Sequence, residues 1–221
     1  GGCAINCRYC FRRHFPYGKN NPSRTQWQQT LDYIRNDSSI HEVIFSGGDP
    51  LAASDTLLST LVQSIADIPH ITTLRIHSRM PVVIPQRVTD QCIHWLTSTR
   101  LQSVMVIHSN HANEIDSEVG QALSRIKTAG ITLLNQTVLL AGINDNETAL
   151  ATLSERLFRY GVLPYYLHLL DRVQGAAHFE VNEQHGRKLI SQLLARLPGY
   201  LVPKLVREQA NTSSKTPIHP F

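Results

Sequence analysis

Three thiols sit close together near the start of this 221-residue chain: Cys3, Cys7 and Cys10, separated by three and then two positions. A short loop with those gaps can wrap a compact metal centre, and soft thiolates select zinc, copper(I) or iron–sulfur. Structural zinc closes its shell with four ligands, and a cubane cluster usually takes four cysteines. Three cysteines therefore leave one coordination position unfilled. His14 could complete it as the fourth ligand of a zinc site, with Arg8, Arg12, Arg13 and Lys19 as a basic patch beside it, suited to nucleic acid. Alternatively the position belongs to an exogenous ligand on an iron–sulfur cluster. The fourth cysteine, Cys92, stands alone, so the pattern is not a disulfide framework.

Further polar residues recur at one kind of place. His77-Ser78-Arg79, His108-Ser109-Asn110-His111, Asn135-Gln136, and His168 with Asp171 all lie in or just after short apolar runs. Those runs read as strands at Val43–Phe45, Leu74–His77, Val104–Ile107, Leu133–Leu140 and Tyr165–Leu170. Between them, helical spacing is read at Trp27–Ile34, Leu57–Ile65, Val88–Leu96, Val119–Ala129, Glu147–Tyr160 and Gln184–Leu197, with Ser54 or Asp55 as a cap and Gly130 and Gly161 as stops. Such alternation predicts βα units and a parallel sheet covered by helices on its outer face. The expected fold is α/β, a partial (β/α)6 barrel resembling a TIM barrel, rather than a flat doubly wound sheet, although pattern alone barely separates the two. In parallel barrels the loops after the strands converge, so polar strand ends in succession mark a site. A single one of them would be an ordinary loop cap.

Composition sets outer limits. With 42% hydrophobic residues the chain can bury a core and is not disordered. No apolar run approaches the roughly 18–20 residues of a membrane span, and the formal charge of +4 permits acidic partners without demanding them. Clustered cysteines imply a reducing compartment, hence the cytoplasm. The abrupt Gly1-Gly2-Cys3 opening reads as an internal piece of a longer protein that lacks its first strand. The expected division is a barrel over 1–199 and a C-terminal segment over 200–221, whose stretch Asn211–Ser214 reads as a polar exit.

The three-then-two spacing with Tyr9 beside the third cysteine resembles the cluster loop of the radical S-adenosylmethionine (radical SAM) superfamily. GGCAINCRYCFRRHFPY at 1–17, FSGGDPL at 45–51, LRIHSRMPVVIP at 74–85, HSNHANEID at 108–116, LLNQTVLL at 133–140, PYYLHLLDRVQGAAHF at 164–179, YLVPKLVRE from 200 and SSKTP ending at 217 are similar to the lysine 2,3-aminomutase family, in that family's order. Closest is the branch that makes β-lysine for modifying elongation factor P, working alongside an enzyme that transfers the lysyl group. The resemblance implies an isomerase that moves the amino group of L-lysine from C2 to C3. Related rearrangements of glutamate or arginine are the alternatives within that class. It implies a [4Fe–4S] cluster on Cys3, Cys7 and Cys10, with S-adenosyl-L-methionine on the fourth iron. Tyr9, Ser46, Gly47, Gly48 and Asp49 would hold the methionine end, Asp49 or a carbonyl taking its ammonium, and His108 and Gln136 the adenosyl end. Lys215 would bond pyridoxal 5'-phosphate, Arg12 would clamp the substrate carboxylate, and Asp171 would recognise the distal amine. Glu208 stands where enzymes acting on free lysine carry a second aspartate, followed by no glycine-rich run.

Overall fold

The computed structural model describes residues 2–10, 12, 15, 23–209, 212 and 214–220. Strands β1 (Glu42–Phe45), β2 (Thr73–Ser78), β3 (Gln102–His108), β4 (Thr132–Val138), β5 (Val162–His168) and β6 (Lys204–Arg207) run parallel in sequence order, and β7 (Thr216–Pro217) joins β6 antiparallel. A doubly wound sheet reverses its strand order at a switch point. Here the order never reverses, so the sheet curls in one sense into part of a barrel.

Helices α1 (Arg24–Asn36), α2 (Asp55–Ala66), α3 (Met80–Val83), α4 (Asp90–Thr97), α5 (Ser117–Thr128), α6 (Glu147–Arg159) and α7 (Glu183–Arg196) connect the strands. The six longer ones open on Ser23, Ser54, Thr89, Asp116, Asn146 and Asn182, whose side chains each accept an orphan backbone N–H of the first turn. Each such cap contributes about 1 kcal/mol. Gly130 and Gly161 follow α5 and α6 with φ of +84° and +76°, backbone that other residues adopt only under strain.

Strand side chains divide by face. Leu74, Ile76, Met105, Ile107 and Leu133 point outward and are almost wholly buried among Leu58, Val62, Ile65, Trp95, Leu123 and Ile126 of the helices. On β2 the alternate residues Thr73, Arg75 and His77 are only half-buried, because they line the concave face of an open barrel. The helix layer is tied by one buried ion pair. Arg87 donates to Asp55 at 2.7 Å, Trp95 Nε1 donates to the same oxygen at 2.7 Å, and both charged side chains are 14% exposed.

Two elements differ from the sequence expectation. The fifth strand covers 162–168 rather than 165–170, because Pro164 sits inside it at a register shift opposite Asn135–Gln136. A proline there withholds a ladder N–H, and an irregularity accommodates it. The C-terminal segment supplies β6 and β7, where Lys204 and Arg207 interrupt a short strand pattern, while Asn211 and Ser213 of the expected polar exit lie outside the described residues.

The Asp55 pair yields a stability test. Asp55→Ala strands the Arg87 charge and the Trp95 N–H, so unfolding in denaturant should lose about 3 kcal/mol. A loss below about 1 kcal/mol would mean that the pair contributes no more than a surface one.

Candidate active site

The loop after β1, Ser46-Gly47-Gly48-Asp49, is clasped to the end of β2 by a single carboxylate. Asp49 Oδ1 accepts from Leu51 N at 3.1 Å and from the Ser78 hydroxyl at 2.7 Å. Its Oδ2 accepts from Arg79 N at 2.8 Å and Met80 N at 3.2 Å. A carboxylate offers about four acceptor positions, and all are taken. Gly47 adopts φ +121°, which excludes a side chain there without strain.

The cysteine loop leans on this clasp. Arg79 Nη1 donates to Cys7 Sγ at 3.1 Å and to the Tyr9 hydroxyl, while Nη2 pairs with Glu114 at 2.7 Å. Arg12 Nη1 donates to the Gly47 carbonyl at 2.8 Å, and its backbone N–H to Cys10 Sγ at 3.4 Å. Burial, with the negative charges of Asp49, Cys10 and Cys7 nearby, pushes the Cys3 thiol up. The three sulfurs thus feel one another, and a cation among them would reverse that cost. Among the described residues no three His, Cys, Asp or Glu side chains converge on one metal ion. Three soft thiolates that leave one coordination position to spare are the donor chemistry of an iron–sulfur cluster with an exogenous ligand. His14, Arg13 and Lys19, on which the zinc reading partly rests, lie outside the described residues.

The concave face carries polar groups that the protein itself leaves without partners. His77 Nε2, His108 Nε2, Gln136 Oε1 and His168 Nε2 are buried and make no hydrogen bond among the described residues. His108 and Gln136 are register neighbours on β3 and β4, and the His77 and His108 rings lie edge to face at 6.0 Å. An unpaired buried polar atom costs free energy, so such a row is expected where a ligand completes it. Burial drives the histidines down, His77 and His168 to about 4 and His108 to about 3, so all are neutral at pH 7.

Lys215, just ahead of β7, reaches this face. Its Nζ pairs with Glu208 at 2.7 Å and lies 5.8 Å from the Tyr166 ring centroid. The Lys215 hydrogen bond is the chief cause holding the Glu208 carboxyl below its usual range, with His168 and Arg12 adding to it. Asp171 lines a cavity of about 520 Å³ with Leu169, Asn182, Arg207 and Glu208. Burial, then the Glu208 charge, pushes its carboxyl up.

The structure thus draws Cys7, Tyr9, Arg12, Gly47 and Asp49 together at one end of the sheet, and Lys215, Glu208 and Asp171 at the other, with His108 and Gln136 between. Asn135, grouped with Gln136 in the sequence, faces the other way: it accepts from Ser109 N at 2.9 Å and donates to Thr137 at 2.8 Å. Sequence reasoning missed Glu114, whose other oxygen accepts from Asn110 N at 2.7 Å and His111 N at 3.0 Å. The signal was a carboxylate three residues after a strand-end histidine, the spacing of a capping box, which the structure contains.

The neutral histidines give a pH test. In an unfolded chain their pKa values return to near 6.5. The folded values are lower, so below that point the unfolded state binds more protons. Their contribution is whole above about pH 6.5 and fades as pH falls toward 4. At pH 5 each costs about 1–2 kcal/mol. Denaturant unfolding at pH 7 and pH 5 should therefore show a loss that shrinks by that amount in His168→Gln. An identical loss in the variant would contradict a neutral His168.

Comparison with known proteins places this geometry. Residues 1–86 match the model of the radical SAM superfamily. The chain is 54% identical over 216 residues to an L-lysine 2,3-aminomutase of Haemophilus influenzae and 52% identical over 218 residues to one of Escherichia coli. Those alignments cover 98% and 99% of this chain, which spans 64% of the length of each relative. Among solved structures, Streptococcus suis SuiB superposes with a TM-score of 0.66 over 95% of this chain and 48% of its own, at 11% identity, which speaks for the fold alone. The chain thus carries the radical SAM superfamily's pattern over residues 1–86 and is similar along nearly its whole length to L-lysine 2,3-aminomutases.

Proposed function

We propose that this chain is the core of an L-lysine 2,3-aminomutase, dependent on a [4Fe–4S] cluster, S-adenosyl-L-methionine and pyridoxal 5'-phosphate, which supplies β-lysine for modifying elongation factor P in the cytoplasm. The observation that carries the reading is the placement of Lys215. A lysine in a polar tail ordinarily points into solvent, yet this one sits on the concave face between Glu208 and Tyr166. It occupies the same open face whose far rim carries the cysteine loop.

Cys3, Cys7 and Cys10 would hold the cluster, and Ser46, Gly47, Gly48 and Tyr9 would surround the methionine end of the sulfonium ligand. Bound there, these groups would supply one-electron bond cleavage and a π-system that spreads an unpaired electron, which is chemistry side chains lack. The protein contributes binding, orientation and shelter. Gln136 Oε1 and His108 Nε2 offer unsatisfied hydrogen-bonding positions to an adenosyl group. Arg12, already within reach of Glu208 electrostatically, offers a planar fork to a substrate carboxylate. Asp171 and Glu208, beside one cavity, offer negative charge to a distal ammonium. The antiparallel pairing of β7 with β6 sets Lys215 at the sheet edge beside Glu208. No helix among the described residues is long and apolar enough to cross a membrane.

Incubating the complete protein with lysine, dithionite and S-adenosylmethionine should give β-lysine, identified by mass and retention. Cys7→Ala should lose iron, acid-labile sulfide and turnover together, and Lys215→Ala should lose the visible absorption band of bound pyridoxal phosphate. A colourless wild-type protein holding zinc would overturn the reading.

A further inference from the structure

We propose that Arg79 is a positioning residue for the cluster: it fixes the cysteine loop against the ends of β2 and β3 and, by donating to the Cys7 sulfur, raises the cluster's reduction potential. The inference rests on the cluster reading above. Arg79 lies 72 positions from Cys7 in sequence, directly after β2, and its Nη1 reaches that sulfur at 3.1 Å. The same nitrogen donates to the Tyr9 hydroxyl, and the guanidinium lies 5.5 Å from the Tyr9 ring centroid.

What separates Arg79 from an ordinary surface arginine is how completely its direction is fixed. Its backbone N–H is held by Asp49 from the loop after β1, at 2.8 Å. Its Nη2 is held by Glu114 from the loop after β3, at 2.7 Å, and Glu114 is itself pinned by the N–H groups of Asn110 and His111. The side chain is 20% exposed. Three strand ends therefore aim one cation at one sulfur.

A hydrogen bond to a cluster thiolate withdraws electron density from the metal, and a fixed positive charge acts in the same direction. Both stabilise the reduced cluster, which carries one more negative charge. Tyr9, half-buried against the arginine, narrows solvent access to that bond, so water screens the interaction less. If Arg79 served only as the partner of Glu114, its loss would change stability and leave the potential where it was.

The test is a redox titration of the complete protein, reconstituted anaerobically and followed by the electron paramagnetic resonance of the reduced cluster. Arg79→Leu should move the midpoint to more negative potential at unchanged iron and sulfide content. Arg79→Lys should recover part of the shift, because it restores the charge without the fork. Glu114→Asp keeps both charges but shortens the tether that aims the arginine, and should shift the midpoint in the same direction by less. An unmoved midpoint in Arg79→Leu overturns the inference. Should that variant fail to assemble a cluster, Glu114→Asp decides in the same way. A wild-type protein without iron and sulfide overturns the cluster reading and this inference with it, whereas a wild-type cluster with unmoved variants overturns this inference alone.

Discussion

An open parallel sheet has to hold its strand ends in register without a closed ring of hydrogen bonds to do so. Here the Asp49 carboxylate meets that constraint at the rim that matters. It takes four donors from two loops and so locks the glycine turn after β1 to the start of α3. Arg79 then carries the lock onward to Glu114 and back to Cys7 and Tyr9. Charged partners inside a partly buried rim are strong only when every member is satisfied. Asp49 accordingly takes four donors and Glu114 three, while Arg79 Nε and the groups facing the concave side find no partner among the described residues.

The contrast between the two faces of the sheet follows from the same logic. Outward residues meet helices and are apolar, which is the dominant source of stability. Inward residues would be filled by side chains in a small closed barrel. This sheet instead spreads Arg75, His77, His108, Gln136, Tyr166, His168 and Lys204 along an unfilled surface. Keeping three imidazoles neutral there limits the charge that must be desolvated. Neutral donors and acceptors of this kind suit bulky, mostly uncharged ring systems, and Lys215 with Glu208 adds charge only at one edge.

Much of this was legible in the sequence, and the failures have physical causes. The βα alternation and the polar strand ends were readable because buried parallel strands are apolar and their ends are not. Curling rather than flat winding was expected and is found, but pattern alone barely separates the two, since curling depends on strand order, which local pattern does not encode. Strand β5 was displaced in the reading by Pro164, a residue that sequence rules treat as a strand breaker and that a register shift tolerates. The strands near the C-terminus were hidden because β6 is four residues long and β7 two, too short for a period to show. That Ser78 and Arg79 donate to Asp49 was not legible either, because a carboxylate beside two glycines gives no hint of partners 29 and 30 positions away. Glu114 and Arg79 lie 35 positions apart, and only the fold brings them together.

The central claim is that three cysteine sulfurs hold a cluster whose remaining iron accepts a small sulfonium molecule. Electron–nuclear double resonance of the reduced complete protein, with S-adenosylmethionine bearing nitrogen-15 in its amino group and oxygen-17 in its carboxylate, measures this directly. Hyperfine coupling to both labels is the expected result. Absence of either coupling, with coupling to a histidine nitrogen in its place, would contradict it.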